Sequence, residues 1–315
     1  MAFKFGFSGD DIEGSEDVAM EEVDFRRFML NDSEVRSENM PRLHRFDKLI
    51  PHTRISYSMG ENEKVPRRDF FDVKYQLMGQ DELSATDEIL LGSSDIQTET
   101  YEGGMKVWEC SYDLVKVLEQ EPQTPQSVLE LGCGAAVPLV HVFDHVLRNN
   151  VTGVKLTLAD FNTSVLRLVS APNMLLTWMA AVGRTESALE GEVEITQELV
   201  DQFLQDLSNR QIELQFVSGS WSSQFVRLLE PTKYDLILAS ETIYSLDTLD
   251  VFTDTMLNCL SSTGSALIAA KKVYFGVGGG IPEFESELQK RSVPVQWVLE
   301  DKRGVGRAVL RINLK

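Results

Sequence analysis

Basic residues are scarce in this chain: 30 lysines and arginines stand against 49 aspartates and glutamates, for a net charge of −19. Such a surface is poorly suited to a nucleic-acid duplex, whose binding draws on cationic contacts to phosphates. It suits a basic protein partner better. Cysteine is sparse as well. Cys110, Cys133 and Cys259 lie far apart and form no C-x-x-C pair, so no disulfide framework is expected and a reducing compartment is. No apolar run approaches the roughly 18 residues of a membrane helix. The N-terminus has no basic-then-apolar leader, so neither membrane insertion nor secretion is expected.

What is present is length enough for one large domain or two small ones, 315 residues with ample chain for a core. Residues 1–39 open with spaced aromatics (Phe3, Phe5, Phe7) and become dense in acid from Asp10 to Asp24. Too few large apolar side chains are present to offset the ordering entropy, so this stretch is expected to be a disordered tail. It either keeps the chain soluble or docks a basic partner, and removing it is expected to leave the fold intact. Residues 40–99 are mixed, with Pro41, Leu43, Leu49, Ile50, Pro51 and Ile55. Within them Arg67 to Leu77 alternates partly, through Phe71, Val73, Tyr75 and Leu77, as a strand would. These pieces are too short for a core of their own and are expected to pack, as an N-terminal extension, on a main domain spanning 100–315.

The main domain is organised around Ser127 to Pro138. A short apolar run, read as a buried strand, leads into Gly132-Cys133-Gly134, and Ala136 to Leu147 follows as a helix. Strand, glycine turn and helix bring backbone N–H groups to the carboxyl end of a sheet strand, where open α/β sheets bind nucleotide-like ligands. A dinucleotide site prefers G-x-G-x-x-G, but Val137 occupies the third glycine position and Pro138 follows. With Glu130 the pattern is Glu-x-Gly-x-Gly-Ala, which resembles the S-adenosylmethionine-binding first motif of seven-strand methyltransferases. An ordinary strand–helix turn holding two glycines reads the same way at this point.

Before that strand, Gly103-Gly104 mark a turn and Val107 to Leu118 an amphipathic helix. Trp108 either lines a pocket or belongs to the core. After it, Val154 to Ala159 reads as the second strand and ends in Asp160, which either accepts the hydroxyls of a ribose or caps the next helix in competition with Thr163. Ala171-Pro172-Asn173 is expected to kink that helix. Gly183 to Asn209 reads as a polar insertion with one helix near Gln197 to Leu207. Ile212 to Val217 gives a third strand, ending in Ser218-Gly-Ser-Trp221; the tryptophan either edges a pocket or packs the turn. Tyr234 to Ala239 is apolar at its centre, as a buried parallel strand is, and runs into Ser240-Glu241-Thr242-Ile243-Tyr244. Glu241 is thus a carboxylate at the end of a central strand, or an acid capping the helix from Asp247 to Leu260. A fifth strand, Ser265 to Ala270, leads to Tyr274-Phe-Gly-Val-Gly-Gly-Gly280, a loop over the site, a slot for a substrate backbone, or a plain linker. After a helix from Phe284 to Arg291, Val295 to Leu299 and Ala308 to Leu314 form a terminal hairpin.

Taken in order, Tyr-Glu-Gly-Gly-Met-Lys-Val-Trp-Glu-Cys, Leu-Glu-Leu-Gly-Cys-Gly, Ala-Asp-Phe-Asn, Ser-Gly-Ser-Trp, Leu-Ile-Leu-Ala-Ser-Glu-Thr-Ile-Tyr and Tyr-Phe-Gly-Val-Gly-Gly-Gly resemble the eukaryotic histidine protein methyltransferases. The likeness runs from about Thr100 to the C-terminus and more faintly through Phe3 to Phe7 and Arg67-Arg-Asp-Phe-Phe. It implies an α/β fold, a seven-strand Rossmann-like methyltransferase sheet with a C-terminal β-hairpin plus the N-terminal extension. It implies S-adenosylmethionine as cofactor, held by Trp108, Glu130, Gly132, Gly134, Asp160, Asn162, Trp221 and Ser240. By its position at the end of the fourth strand, Glu241 is expected at the chemistry with Tyr244 walling the pocket, and Phe275, Gly278, Gly279 and Gly280 are expected to shape the substrate entrance; no metal is expected. The target implied is a histidine in the third protein of the large ribosomal subunit, modified by a monomeric enzyme of cytoplasm and nucleus. Lysine-directed relatives commonly carry Asp where Glu241 stands; a lysine methyltransferase, or a non-catalytic cofactor-binding ribosome-assembly factor, is the alternative. One departure is Ala135-Ala136-Val137, where relatives often have a further glycine or serine.

Overall fold

A computed structural model describes residues 39–60, 64–78, 104–121, 125–185, 189–276 and 278–314. Along the chain these form β1 (Arg42–His44), α1 (Phe46–Leu49), β2 (Arg54–Ser58), β3 (Arg67–Arg68), α2 (Phe70–Met78), α3 (Glu109–Gln120), β4 (Ser127–Leu131), α4 (Val137–Arg148), β5 (Lys155–Asp160), α5 (Thr163–Val165) and α6 (Ala171–Ala181). There follow β6 (Glu190–Glu194), α7 (Gln197–Asn209), β7 (Glu213–Ser218), α8 (Ser223–Leu229), β8 (Tyr234–Ser240), α9 (Leu246–Cys259), β9 (Leu260–Lys271), α10 (Ile281–Lys290), β10 (Val295–Asp301) and β11 (Arg307–Asn313).

The main sheet has the order β1-β7-β5-β4-β8-β9-β11-β10. Strands β7, β5, β4, β8 and β9 are parallel, and β11 lies antiparallel between β9 and β10. Without β1 this is the seven-strand sheet with its terminal hairpin that the sequence predicts. Period-two alternation then splits the side chains between two cores. Val128, Leu236, Leu238, Leu267 and Ala269 join the core under α3, α4, α6 and α7. Leu129, Leu131, Ile237, Ala239, Ala266 and Ile268 join the core under α8, α9 and α10. Both faces are apolar because both carry helices.

The N-terminal part differs from its sequence reading in two places. Arg67 to Leu77 is not a strand: only Arg67–Arg68 pair, with Tyr57 and Ser58, and the chain then turns into α2. Val73 and Leu77, four apart and so on one helical face, are buried with Met105, Val165 and Leu168. Phe71, Tyr75 and Met78 point outward, so the apparent alternation was a coincidence of two helical faces. Strand β1 was not anticipated at all. It pairs antiparallel with β7 through Arg42↔Ser218 and His44↔Phe216, and adds an eighth strand to the edge.

The stretch read as an insertion is wired into the extension. Strand β6 pairs with β2 over its whole length, completing a three-stranded sheet in the order β3-β2-β6. Helix α7, capped by the Thr196 hydroxyl, sends Phe203 against Phe46 and Trp178, with ring centroids 4.7 and 5.4 Å apart. At Pro172 the expected disturbance is a single π turn over Leu166–Ser170, immediately before the proline. A residue without an N–H makes that register change inexpensive. The acidic stretch from Asp10 to Asp24 and the Gly103 half of the glycine pair lie outside the described residues.

Candidate active site

The carboxyl ends of β4, β5, β7 and β8 meet at one edge, and the glycine turn sits at their centre. Gly132 and Gly134 have φ of 63° and 51°. A Cβ on Gly132 would come within 2.7 Å of the Thr242 methyl, and one on Gly134 within 2.8 Å of the Gly104 carbonyl. Conformation and space therefore both demand glycine at these positions. Ala136 also has a positive φ, 57°, within the Ala135-Ala136-Val137 stretch where a further glycine or serine is the expected pattern; alanine holds the left-handed shape at modest strain. Glu130 is fully buried, and its Oε2 accepts the Leu139 N–H at 3.0 Å. The carboxylate thereby caps the first turn of α4 from behind the glycines, which fixes the turn. Burial pushes its carboxyl well above the usual range. Its Oε1 is buried with no donor among the described residues.

Asp160 closes the next side. Its Oδ1 accepts the Asn162 N–H at 3.0 Å and its Oδ2 the Gly134 N–H at 2.9 Å. The acid thus ties the end of β5 to the glycine turn, and Asn162 enters through its backbone. Burial pushes the Asp160 carboxyl up to about 6, against the pull of those N–H donors. Gly104 lies over it; a Cβ there would stand 2.9 Å from Val165 and 3.2 Å from Asp160 Oδ2. Thr163 does not compete for the capping role. Its hydroxyl donates to Ser218 Oγ at 2.9 Å, and His44 Nε2 reaches the same oxygen at 2.7 Å. The N-terminal edge strand is therefore joined to the strand end beside the acid, and Asn39 completes the join by accepting the Ser220 N–H at 2.9 Å. Trp221 packs on Phe252 of α9, centroids 5.0 Å apart.

The end of β8 holds the densest polar cluster. Glu241 has φ 58°, a left-handed conformation rare for a residue with a side chain, and strain of this kind gathers at functional sites. Its Oε2 accepts the Tyr274 hydroxyl. Its Oε1 is buried, has no N–H or O–H within hydrogen-bond distance among the described residues, and lies 3.7 Å from Lys271 Nζ; the Cys110 thiol, a weak donor, faces the same carboxyl group. That ammonium is also 3.6 Å from Glu109 and sits over the Trp108 ring, 5.1 Å from its centroid. Burial first, and the neighbouring Glu241 second, raise the Tyr274 and Cys110 groups far above their ordinary values, so both stay protonated. Tyr244 meets Tyr274 edge-on, centroids 6.2 Å apart. Ser240 is held by Ser111 of α3 across 2.9 Å.

The glycine run is shaped by the protein itself. A Cβ on Gly279 would come 2.4 Å from the Tyr244 carbonyl group, and the Gly279 N–H donates to that oxygen at 2.9 Å. Gly278 and Gly280 pair with Ser245 and Val273. At Gly279 and Gly280, then, the close backbone approach is to the chain's own Ile243–Tyr244 and Lys272, rather than an open slot. Phe275, before the glycines, is 83% exposed. Of the residues singled out from sequence, the structure brings together Glu130, Gly132, Gly134, Asp160 and Asn162 around the turn, and Trp108, Glu241 and Tyr244 around the β8 end. Lys271, Tyr274, Glu109 and Cys110 were missed. The signals for them were the Trp108-Glu-Cys110 step, the aromatic pair before the glycines, and Lys271-Lys272 at the end of the apolar fifth strand.

The turn fits S-adenosylmethionine in kind. A ligand with an amine, a carboxylate and a diol but no phosphate needs acceptors as well as N–H groups, and buried acceptors are what Glu130, Asp160 and the Thr242 hydroxyl offer; the Thr242 Oγ1 has no partner among the described residues. No protein-family model matches the sequence. The chain is 37% identical to "Histidine protein methyltransferase 1" of Schizosaccharomyces pombe, over 83% of this chain and 82% of the relative. It is 34% identical to the protein of that name from Saccharomyces cerevisiae, over 92% and 91%. A solved S-adenosylmethionine-dependent methyltransferase from Aquifex aeolicus overlaps 64% of this chain and 88% of its own, at 15% identity and a TM-score of 0.36; the strand order identifies the sheet without that overlap. The protein is a methyltransferase, its cofactor is S-adenosylmethionine, and on its likeness to these full-length relatives the chain belongs to the histidine protein methyltransferase family.

Proposed function

We propose that this enzyme methylates a ring nitrogen of a histidine in the third protein of the large ribosomal subunit, a basic partner met in cytoplasm and nucleus. The observation that carries the chemistry is Glu241: one carboxylate oxygen is fixed by Tyr274, and the other is a buried acceptor with no N–H or O–H donor among the described residues. Such an oxygen suits the N–H of a neutral imidazole. The net charge of −19 supports the choice of a basic partner, and the names of the relatives support histidine.

A histidine side chain with an ordinary pKa of roughly 6.5 is mostly neutral at pH 7 and needs no strong base before it attacks. The bound cofactor supplies an electrophilic sulfonium methyl. Glu241 accepts the N–H of one ring nitrogen, which fixes the tautomer and presents the lone pair of the other. The ring would gain positive charge on accepting the methyl, and the Glu241 carboxylate would stabilise it. The same N–H proton then leaves the methylated ring through Glu241 or water. Tyr244 and Tyr274 wall the ring, and Phe275 stands at the entrance. Glu130, Gly132 and Gly134 would shape the cofactor turn, with Asp160 accepting the ribose hydroxyls and Trp108 and Asn162 beside them; Trp221, packed on Phe252, and Ser240, held by Ser111, are assigned to the pocket by their strand ends alone. Incubation with labelled cofactor and purified ribosomal protein, followed by amino-acid analysis, tests the whole reading; methyllysine, or no product, would reject it.

Asp160 makes a separate prediction. Its carboxyl holds a proton more tightly folded, near pH 6, than unfolded, near 4, so the ligand-free protein should lose stability as pH rises between those values, by up to roughly 3 kcal/mol, and level off above. Hydroxyls donating to the ionised carboxylate oppose that shift. Affinity for S-adenosylhomocysteine should therefore strengthen as pH rises through 6, with proton release. Calorimetry in buffers of different ionisation enthalpy reads both, and a flat profile would remove the ribose role. Asp160→Ala should weaken binding by roughly 10-fold or more, since two backbone donors and the ligand lose a charged acceptor together.

A further inference from the structure

The Glu241 pocket already contains an ammonium. Lys271 Nζ stands 3.7 Å from Glu241 Oε1 and 3.6 Å from Glu109 Oε2. It lies 5.1 Å from the centroid of Trp108 and 5.9 Å from that of Tyr274. Carboxylate and aromatic faces around a cation are the chemistry that would seize a lysine side chain of a substrate. Here that seat is filled from within.

We propose that Lys271 is a specificity residue, a resident cation that excludes substrate lysine from the Glu241–Trp108–Tyr274 cage while admitting neutral imidazole. The inference rests on the reading that the histidine ring binds at Glu241. Two ammonium groups about 4 Å apart at a protein-like dielectric repel each other enough to disfavour binding by roughly 10²–10³-fold. An uncharged ring meets no such barrier on entry, and the charge it gains during transfer is balanced by the Glu241 carboxylate. It needs only the Glu241 Oε1 lone pair, which Lys271 approaches beyond hydrogen-bond distance and does not use. A flexible lysine stem lets the ammonium withdraw toward Glu109 as the ring enters. Glu109 is 64% exposed against 8% for Glu241, so the cation keeps a partner on the solvent side. The carboxylate alone does not select histidine, because it would serve a protonated amine at least as well. The cation beside it supplies the discrimination.

The test uses the full-length enzyme with two forms of one substrate, the purified ribosomal protein whose methylated histidine has been mapped and the same protein with that histidine replaced by lysine. Transfer of labelled methyl is measured for wild type, Lys271→Met and Lys271→Arg, with the product site read by mass spectrometry. Wild type and Lys271→Arg should leave the lysine form unmodified. Lys271→Met should modify it, lowering the histidine-to-lysine rate ratio by roughly 10²-fold. No lysine product from Lys271→Met with histidine transfer retained would overturn the proposal. So would loss of both activities with S-adenosylhomocysteine binding intact, which would make Lys271 part of histidine catalysis. Should Lys271→Met fail to fold, Lys271→Gln carries the same comparison. A failure of the underlying site reading shows elsewhere, as wild-type histidine transfer by Glu241→Gln.

Discussion

Glu241→Gln is expected to lower the histidine methylation rate by roughly 10²-fold or more while cofactor affinity stays within a few-fold. The carboxylate offers two acceptor oxygens, and Tyr274 holds one of them. An amide has one oxygen and one NH2 group. With Tyr274 donating to that oxygen, the NH2 is turned toward the ring and cannot accept its N–H. The variant therefore loses the charge that stabilises the forming imidazolium and presents the ring with the wrong tautomer partner. Cofactor affinity is spared because the turn residues Glu130, Gly132, Gly134 and Asp160 are untouched. Single-turnover transfer with labelled cofactor gives the rate, and calorimetry with S-adenosylhomocysteine gives the affinity. Tyr274→Phe should fall between wild type and Glu241→Gln, since it keeps the wall but frees the second oxygen. A Glu241→Gln enzyme turning over at the wild-type rate would move the acceptor role to a backbone carbonyl.

The difference between what the sequence disclosed and what it hid follows from range. Strand β4, its glycines and Glu130 were legible because apolar run, tight turn and helix start are contiguous, and Glu130 works on Leu139, nine positions on; the neighbours that demand glycine at 132 and 134, Thr242 and Gly104, are distant and were not. The buried parallel strands were readable for the same reason, being apolar on both faces. Strand β1 was not. Three residues carry no periodicity, and what makes them a strand is the open edge of β7, more than 170 positions away. Residues 190–194 form a strand only because β2 offers an edge. At the site, Glu241 stood out as an acid ending a central strand, whereas Lys271 is the last residue of β9 and Tyr274 lies in the loop after it, whose fold depends on Gly279 packing against Tyr244. Arg67 to Leu77 shows the opposite failure, a real pattern assigned the wrong period.

Arg68, inside that misread stretch, should be among the most costly residues to replace outside the active site. Its guanidinium is wholly buried; it donates to Asp72 at 2.7 Å, to the Leu168 carbonyl at 2.9 Å and to Gln76 at 2.6 Å. Its own N–H reaches Asn173 Oδ1 at 2.8 Å, and Asn173 in turn donates to the Ala135 carbonyl at 2.9 Å. The extension is thereby bolted to the π turn and to the glycine turn. Arg68→Met keeps most of the apolar stem but strands the Leu168 carbonyl and the Asp72 carboxylate. Breaking a buried charged pair from one side costs roughly 3–5 kcal/mol, and because Asp72 is 19% exposed the lower end applies. For a chain of this length that is a fall in Tm of roughly 4–6 °C. Affinity should suffer too, below the melting range, because the loosened π turn carries Ser170, whose hydroxyl donates to the Gly134 carbonyl at 2.6 Å. Phe71→Ser, on the exposed face of the same helix, should change Tm by no more than a degree or so, at roughly 0.5 kcal/mol or less. Thermal melts of the two variants side by side, with and without S-adenosylhomocysteine, separate them. An Arg68→Met protein that melts with the wild type would show that the extension is not coupled to the cofactor turn.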